Sequence, residues 1–300
     1  MSKNTIMGWF FVFPAVLLII VFLIYPTIRT IQLSFDTGAG FTTSENVGLK
    51  NYIDLFTNDR FFFDFDQWPP RGAVFNTILW LFLFTGGTVG IGLGVAVLAN
   101  TVRYEVLIKT IIFLPMGISF TAAGIIWRYV YSPDPNSGIL NALLIGLIPS
   151  MEPIPWLGRT DIVNYALIIA GIWINTGFCM VILSAALKGL PAEVTEAARV
   201  DGANSWQAFW KITIPMLRPT IALVTTAMTI NVLKTFDLVF IMTQGGPRGT
   251  SQIIGYTMYN ETFQLGKPGY GAAVAVIMLI LVLPFVIINI RRFRNEEQYR

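Results

Sequence analysis

Long apolar runs separated by short polar segments dominate the 300-residue chain, in place of the alternation of a half-buried strand or the one-sided stripe of a soluble helix. Six runs, at 7–28, 73–99, 110–131, 162–187, 220–242 and 272–290, reach the roughly 20 residues that a helix needs to cross a hydrocarbon core. A backbone amide in lipid finds no water, so each run is predicted to satisfy its own amides as an α-helix. The pattern predicts an all-α membrane protein with six transmembrane helices in one domain, since no low-complexity linker or internal repeat divides it.

The polar segments carry turn signals. Pro133, Pro135 and Gly138 mark a turn cluster after the third run, and the apolar stretch 139–148 that follows is too short to span. Gln244, Gly245, Gly246 and Pro247 are expected to end the fifth run abruptly. The aromatic and acidic run 60–70 is expected at headgroup level.

Basic residues set the orientation. With a cytoplasmic N-terminus, the inner segments hold Lys3, then Arg103 and Lys109, then Lys188, Arg199, Lys211 and Arg218, then Arg291, Arg292, Arg294 and Arg300. The longer outer segments hold only Arg29, Lys50, Arg60, Arg71, Arg159, Arg248 and Lys267, so both termini are expected in the cytoplasm. Lys3 precedes the first run and no small-residue cleavage site follows it, which predicts a retained helix that also serves as the targeting signal.

Composition narrows the chemistry. Hydrophobic residues make up 54% and charged residues 12%, with a mean hydropathy of +0.65, and the net charge of +3 forms no stripe that could follow a phosphate backbone. Nucleic acid is not an expected partner; the lipid bilayer is. The chain has no histidine, hence neither the usual general base nor the commonest metal ligand, and no cofactor is expected. Its one cysteine, Cys179, is expected to pack as a small hydrophobe.

The segment 187–219 is more than a connector. Pro191 suits the first position of a short helix, Glu193 and Glu196 sit where the N-terminal dipole favours anions, and Gly202 can take the left-handed position after its end. Asn204 and Gln207 form a capping-box pattern for a second short helix, predicted to stop at Pro215. The corner has small residues, Ala197 and Ala198, and apolar anchors, Phe209, Trp210 and Ile212. It has the form of a docking knob; the alternative is a plain amphipathic interfacial pair.

Glu196, Ala197 and Ala198, then Gly202, then Ile212, Ile214 and Pro215 resemble, at full spacing, the EAA loop of ABC-importer permeases. Asp201, Ala203 and Pro219 extend the likeness. The flanking Tyr25-Pro26, Asn76-Thr77, Leu114-Pro115 and Gly245-Gly246-Pro247 resemble the sugar-permease family of the maltose and glycerol-3-phosphate importers, first permease of the pair. The resemblance implies a type I ABC importer permease fold, with a core at 73–290, an extra N-terminal helix at 7–28 and a cytoplasmic coupling loop at 188–219. It implies Glu196, Ala197, Ala198, Asp201 and Gly202 as the ATPase-coupling residues. It also implies partners: a second permease subunit, two cytoplasmic ATPases and an extracytoplasmic sugar-binding protein, in a bacterial inner membrane. The chain lacks a Gly-x-x-x-x-Gly-Lys-Ser/Thr phosphate loop, so ATP hydrolysis is expected in the partners and the chain is not expected to be an enzyme.

A sugar pathway needs amides, hydroxyls and rings at mid-membrane depth. Run four offers Trp173, Asn175, Thr176 and Phe178; run five offers Thr225, Thr226, Thr229, Asn231, Thr235 and Phe236. The alternative use of these groups is hydrogen bonding between neighbouring helices. The resemblance places Asn175, Phe178, Asn231 and Thr235, with Met116 and Phe120 of run three, at positions that contact sugar in the maltose-type permease. Lys234 and Asp237, three apart, and Arg128 are read as outer-end charges that snorkel or pair locally. The expected cargo is an uncharged di- or oligosaccharide such as an α-glucoside, the alternatives being glycerol-3-phosphate or a polyol. An ion-coupled carrier would call for carboxylates in mid-span, which no run contains, and an intramembrane enzyme for a nucleophile with its base or a metal site.

Overall fold

In the computed structural model, residues 3–38, 45–66, 68 and 70–298 are described, with backbone alone at 3–10, 195, 289, 290 and 292–298. Gln67, Pro69 and Arg300 lie outside the described residues, as do the side chains of Lys3, Arg292 and Arg294. Among the described residues every regular element is a helix, and extended pairing is limited to two isolated bridges, Asp36 with Asn46 and Asp64 with Arg71.

The first apolar run forms α1 (Lys3–Ile19) and α2 (Tyr25–Leu33), joined through a π-helical turn at Ile20–Ile24 that places Pro26 at the start of α2. After the short α3 (Lys50–Thr57), α4 (Ala73–Ala99) is a full span. The third run corrects the expectation of one helix over 110–131. It divides into α5 (Glu105–Phe113), a 3₁₀ turn at Leu114–Gly117, and α6 (Phe120–Val130), the two bent by 104°. Pro115 supplies no N–H, and Ser119 turns extended to cap α6, accepting the Ala122 N–H at 3.2 Å. Hydropathy cannot register such a bend, because both halves are equally apolar.

Next come α7 (Ile139–Leu147), too short to span, α8 (Val163–Lys188) and α9 (Ala192–Val200). The predicted stop at Pro215 is also corrected. The helix α10 (Ser205–Ala208) runs through a π turn at Phe209–Thr213 into α11 (Ile214–Lys234), giving one continuous helix of 30 residues. The wider π turn relieves the four-residue bonding ladder that a proline would otherwise break. The expected loop 188–219 is therefore loop only as far as Asn204. Run five breaks again at Thr235 and Phe236 before α12 (Asp237–Met242), and α13 (Ile254–Tyr259) and α14 (Pro268–Gln298) complete the chain. With the bent α5–α6 pair counted once, six helices among the described residues are long and apolar enough to cross a membrane.

The helix α8 is the hub, 67% of its most apolar window being buried, against none for α1–α2. Small residues let backbones approach. A Cβ on Gly92 of α4 would lie 2.8 Å from Cys179 of α8, and one on Gly177 of α8 would lie 2.7 Å from the Ile112 carbonyl of α5. Cys179 is fully buried and fills the α4 contact, as expected. On the far side, Gly124 of α6 sits against Ile241 of α12.

At the end of the bundle remote from α9, Asn76 and Asn164 strap the segment after α12 to α4 and α8. Asn76 Nδ2 donates to the carbonyls of Thr250 (2.8 Å) and Gln252 (2.7 Å), and Asn164 Nδ2 donates to Asn76 Oδ1 (3.1 Å) and to Thr250 O (2.8 Å). Thr77 Oγ1 accepts the Ile254 N–H. Beside them Leu55, Phe62, Ala73, Ile254, Ala273 and Val274 form a second small core. The aromatic run 60–70 therefore does not lie flat throughout: Phe62 and Asp64 are buried, and the Asp64–Arg71 bridge folds the run back on itself.

Candidate translocation cavity and coupling loop

The two backbone breaks, at 114–119 and at 235–236, meet beside α8, and a cavity of about 460 Å³ opens there. All six residues expected on a substrate pathway, Met116, Phe120, Asn175, Phe178, Asn231 and Thr235, line it. Asn175 and Phe178 reach it because they stand three apart on one face of α8, and Asn231 and Thr235 because they stand four apart at the end of α11. Asn231 Nδ2 donates to Asn175 Oδ1 at 3.1 Å, while Asn175 Nδ2 is held by the Gly171 carbonyl of its own helix at 2.9 Å. The amide pair is thus both an interhelical bond and part of the cavity wall. Phe120 and Phe178 add ring surface, so apolar faces and amide edges are presented together, which is the chemistry a pyranose recognises.

The other polar candidates go elsewhere. Thr225, Thr226 and Thr229 face a separate cavity between α11 and α14, with Arg218 and Phe285. Trp173 meets Trp127 edge to face, Thr176 bonds back to Ile172 O, and Phe236 stacks with Phe240 and Tyr256.

Two charged residues that sequence reasoning set aside line the cavity as well: Lys234 and Asp237. Of the two expected roles, snorkelling or a local pair, the pair is not formed, and among the described residues neither side chain takes part in an ion pair. The helix break explains this, because residues three apart share a face only on a continuous helix. Lys234 instead closes the C-terminal turn of α11 and Asp237 opens the first turn of α12, each at the helix end whose dipole favours its charge. No proline or glycine marks the break, so the sequence carried no signal for it.

The predicted coupling residues sit on an exposed corner. Gly202 has φ +84°, and α9 ends in a Schellman motif: Ala203 N–H donates to Ala198 O at 2.9 Å and Gly202 N–H to Arg199 O at 3.1 Å. Pro191 stands one place earlier than expected, at the N-cap, and the Asn204–Gln207 capping box is formed in both directions. Glu196, Ala197, Asp201 and Gly202 are exposed; Ala198 is 6% exposed and faces inward, so only Ala197 of that pair offers a small outward surface. Behind the corner Trp206, Phe209 and Trp210 wall a groove of about 730 Å³ against Leu93, Val97 and Leu98 of α4.

Residues 86–292 match the family model described as "Binding-protein-dependent transport system inner membrane component". The chain is 49% identical over 295 residues to the osmoprotective compounds uptake permease protein of Synechocystis sp., covering 97% of this chain and 100% of that protein. It is 40% identical over 299 residues to the alpha-glucoside transport system permease protein of Rhizobium meliloti, covering 98% and 84%. In fold it is similar to a chain of a bacterial ABC transporter involved in the import of the acidic polysaccharide alginate, with a TM-score of 0.81 at 22% identity, covering 98% and 96%. The broken spans, the exposed glycine corner and a family match that runs from the middle of α4 into α14 have one reading: this chain belongs to the inner-membrane components of binding-protein-dependent transport systems, the permeases of ABC importers.

Proposed function

We propose that the chain is one of two membrane subunits of an importer that moves a neutral α-linked glycoside through the cavity at the two helix breaks. The observation that carries this reading is the convergence of Met116, Phe120, Asn175, Phe178, Asn231 and Thr235 on that one cavity. The similarity to the alpha-glucoside permease supports the cargo class. The presence of both Lys234 and Asp237 in the wall, unpaired with each other, supports a neutral cargo over glycerol-3-phosphate, because the carboxylate opposes an anion that the ammonium would attract.

In this reading the chain hydrolyses nothing. Two cytoplasmic ATPases close on ATP, the corner at Glu196, Ala197, Ala198, Asp201 and Gly202 carries their movement into α8 and α11, and the cavity opens to an extracytoplasmic binding protein that delivers the sugar. Both termini lie in the cytoplasm, the 73–290 core forms the permease half together with its partner subunit, and the 7–28 helix is an added lipid-facing element. The test is reconstitution of the complete transporter in lipid discs, with ATP hydrolysis measured as α-glucosides and their loaded binding protein are added. Stimulation by a neutral α-glucoside, lost or uncoupled in Gly202→Asp, is the expected result. Uptake driven by an ion gradient with no ATPase recruited would overturn it.

A further inference from the structure

A closed polar cluster sits where α4 and α8 end and α5 begins, at the root of the coupling corner. Lys109 of α5 donates to Asn100 Oδ1 at the end of α4 (2.7 Å), to Ser184 Oγ of α8, and to Glu105 one turn earlier on α5; Ser184 Oγ also donates to Asn100 Oδ1 at 2.9 Å. The same Glu105 oxygen takes a second cation, Lys188 Nζ at 2.5 Å, from the last residue of α8. One carboxylate oxygen is thus shared by two ammonium groups from two helices.

We propose that Glu105 is the clasp through which movement of the coupling corner is passed to the inner half of the third span; it is a positioning residue, and the proposal rests on the ATPase-coupling reading of that corner. Three observations support it. The side chains are graded in exposure, from 18% for Lys109 and 23% for Glu105 to 57% for Lys188, so Lys109 is the sheltered anchor and Lys188 the outer hook. Lys188 lies three residues before Pro191, the N-cap of α9, so it moves with the corner. The clasped helix reaches the cavity: the last residues of α5, Ile112 and Phe113, pack on α8 at Gly177, its link to α6 is bent by 104°, and its far end passes into the turn that carries Met116 of the cavity. A pull at Lys188 is therefore delivered to the cavity floor without passing through α6.

An ion pair whose outer member is exposed, as Lys188 is, contributes little to stability, so a purely structural Lys188–Glu105 bond would leave transport untouched when removed. The test uses the complete reconstituted transporter and reads sugar translocated per ATP hydrolysed for the parent, Lys188→Met, Glu105→Gln, Lys188→Arg and, as control, Gly202→Asp. Lys188→Met and Glu105→Gln are expected to assemble with their partners and to hydrolyse ATP, yet to move at least about fivefold less sugar per ATP, the lower end of a typical coupling energy. Lys188→Arg, which keeps the charge and the donor, is expected to restore the ratio. A parental ratio in Lys188→Met or in Glu105→Gln, a parallel loss of uptake and hydrolysis, or no rescue by arginine overturns the clasp. A Gly202→Asp control that hydrolyses and transports as the parent does would instead overturn the coupling reading on which it stands.

Discussion

Gly202 has φ +84°, yet a Cβ added there would meet no atom within 4 Å. Its restriction in this chain is one of backbone hand and not of space, which leaves the corner open to a partner surface. Glu261 shows the opposite constraint, a buried group without a full complement of bonds. Burial pushes its carboxyl above the usual carboxylate range, Lys267 at 3.7 Å pulls it back, and Asp59 pushes it up again. A carboxyl that holds its proton more tightly folded than unfolded contributes most below its unfolded pKa, and that contribution is lost as pH rises through the folded one. Glu261→Gln is thus expected to melt with the parent in acid and above it at neutral pH; equal unfolding midpoints in detergent at both pH values would remove this account. Gly202 and the Asn204–Gln207 box were legible in the sequence because each is a local rule about a few residues. Lys234 and Asp237 were not, because their place depends on a break that no nearby residue encodes.

Among elements, the asparagine strap ties α4 and α8 to the segment after α12, and it draws on only two side chains. Asn76→Ala would leave the carbonyls of Thr250 and Gln252 without that donor, and Asn164 without one acceptor. A loss of about 2 kcal/mol in unfolding free energy is expected, in the range for removing three half-buried hydrogen bonds at roughly 0.5–1.5 kcal/mol each. Denaturant titration in detergent would measure it, and a change below about 0.5 kcal/mol, typical of a surface site, would show the strap to be dispensable. The spans themselves were legible from apolar length, but their continuity was not. Pro115 breaks its run whereas Pro215, about two turns after a capping box, does not, because a π turn absorbs the second and a capping serine exploits the first.

At the scale of the whole molecule, Asn231 connects packing to the proposed sugar pathway, since its amide joins α11 to α8 and lines the cavity. Asn231→Leu keeps an apolar helix contact but withdraws the amide, so the transporter is expected to assemble while uptake falls about tenfold, equivalent to about 1.4 kcal/mol in the barrier. The affinity of the binding protein for its sugar serves as the unchanged control, and parental uptake would exclude the amide from the pathway. Helical spacing made two pairs of the cavity residues legible in sequence, Asn175 with Phe178 and Asn231 with Thr235, whereas Met116 and Phe120, on either side of a helix break, came from the family resemblance alone. The common level of the two breaks is a property of the assembled bundle. It gives the molecule two storeys: α6 is docked on α12 above through Gly124 and Ile241, and α5 on α8 below through Gly177. In the function proposed above, a sugar at the cavity stands on the landing between these two contacts, so a shift in either one changes the space around it.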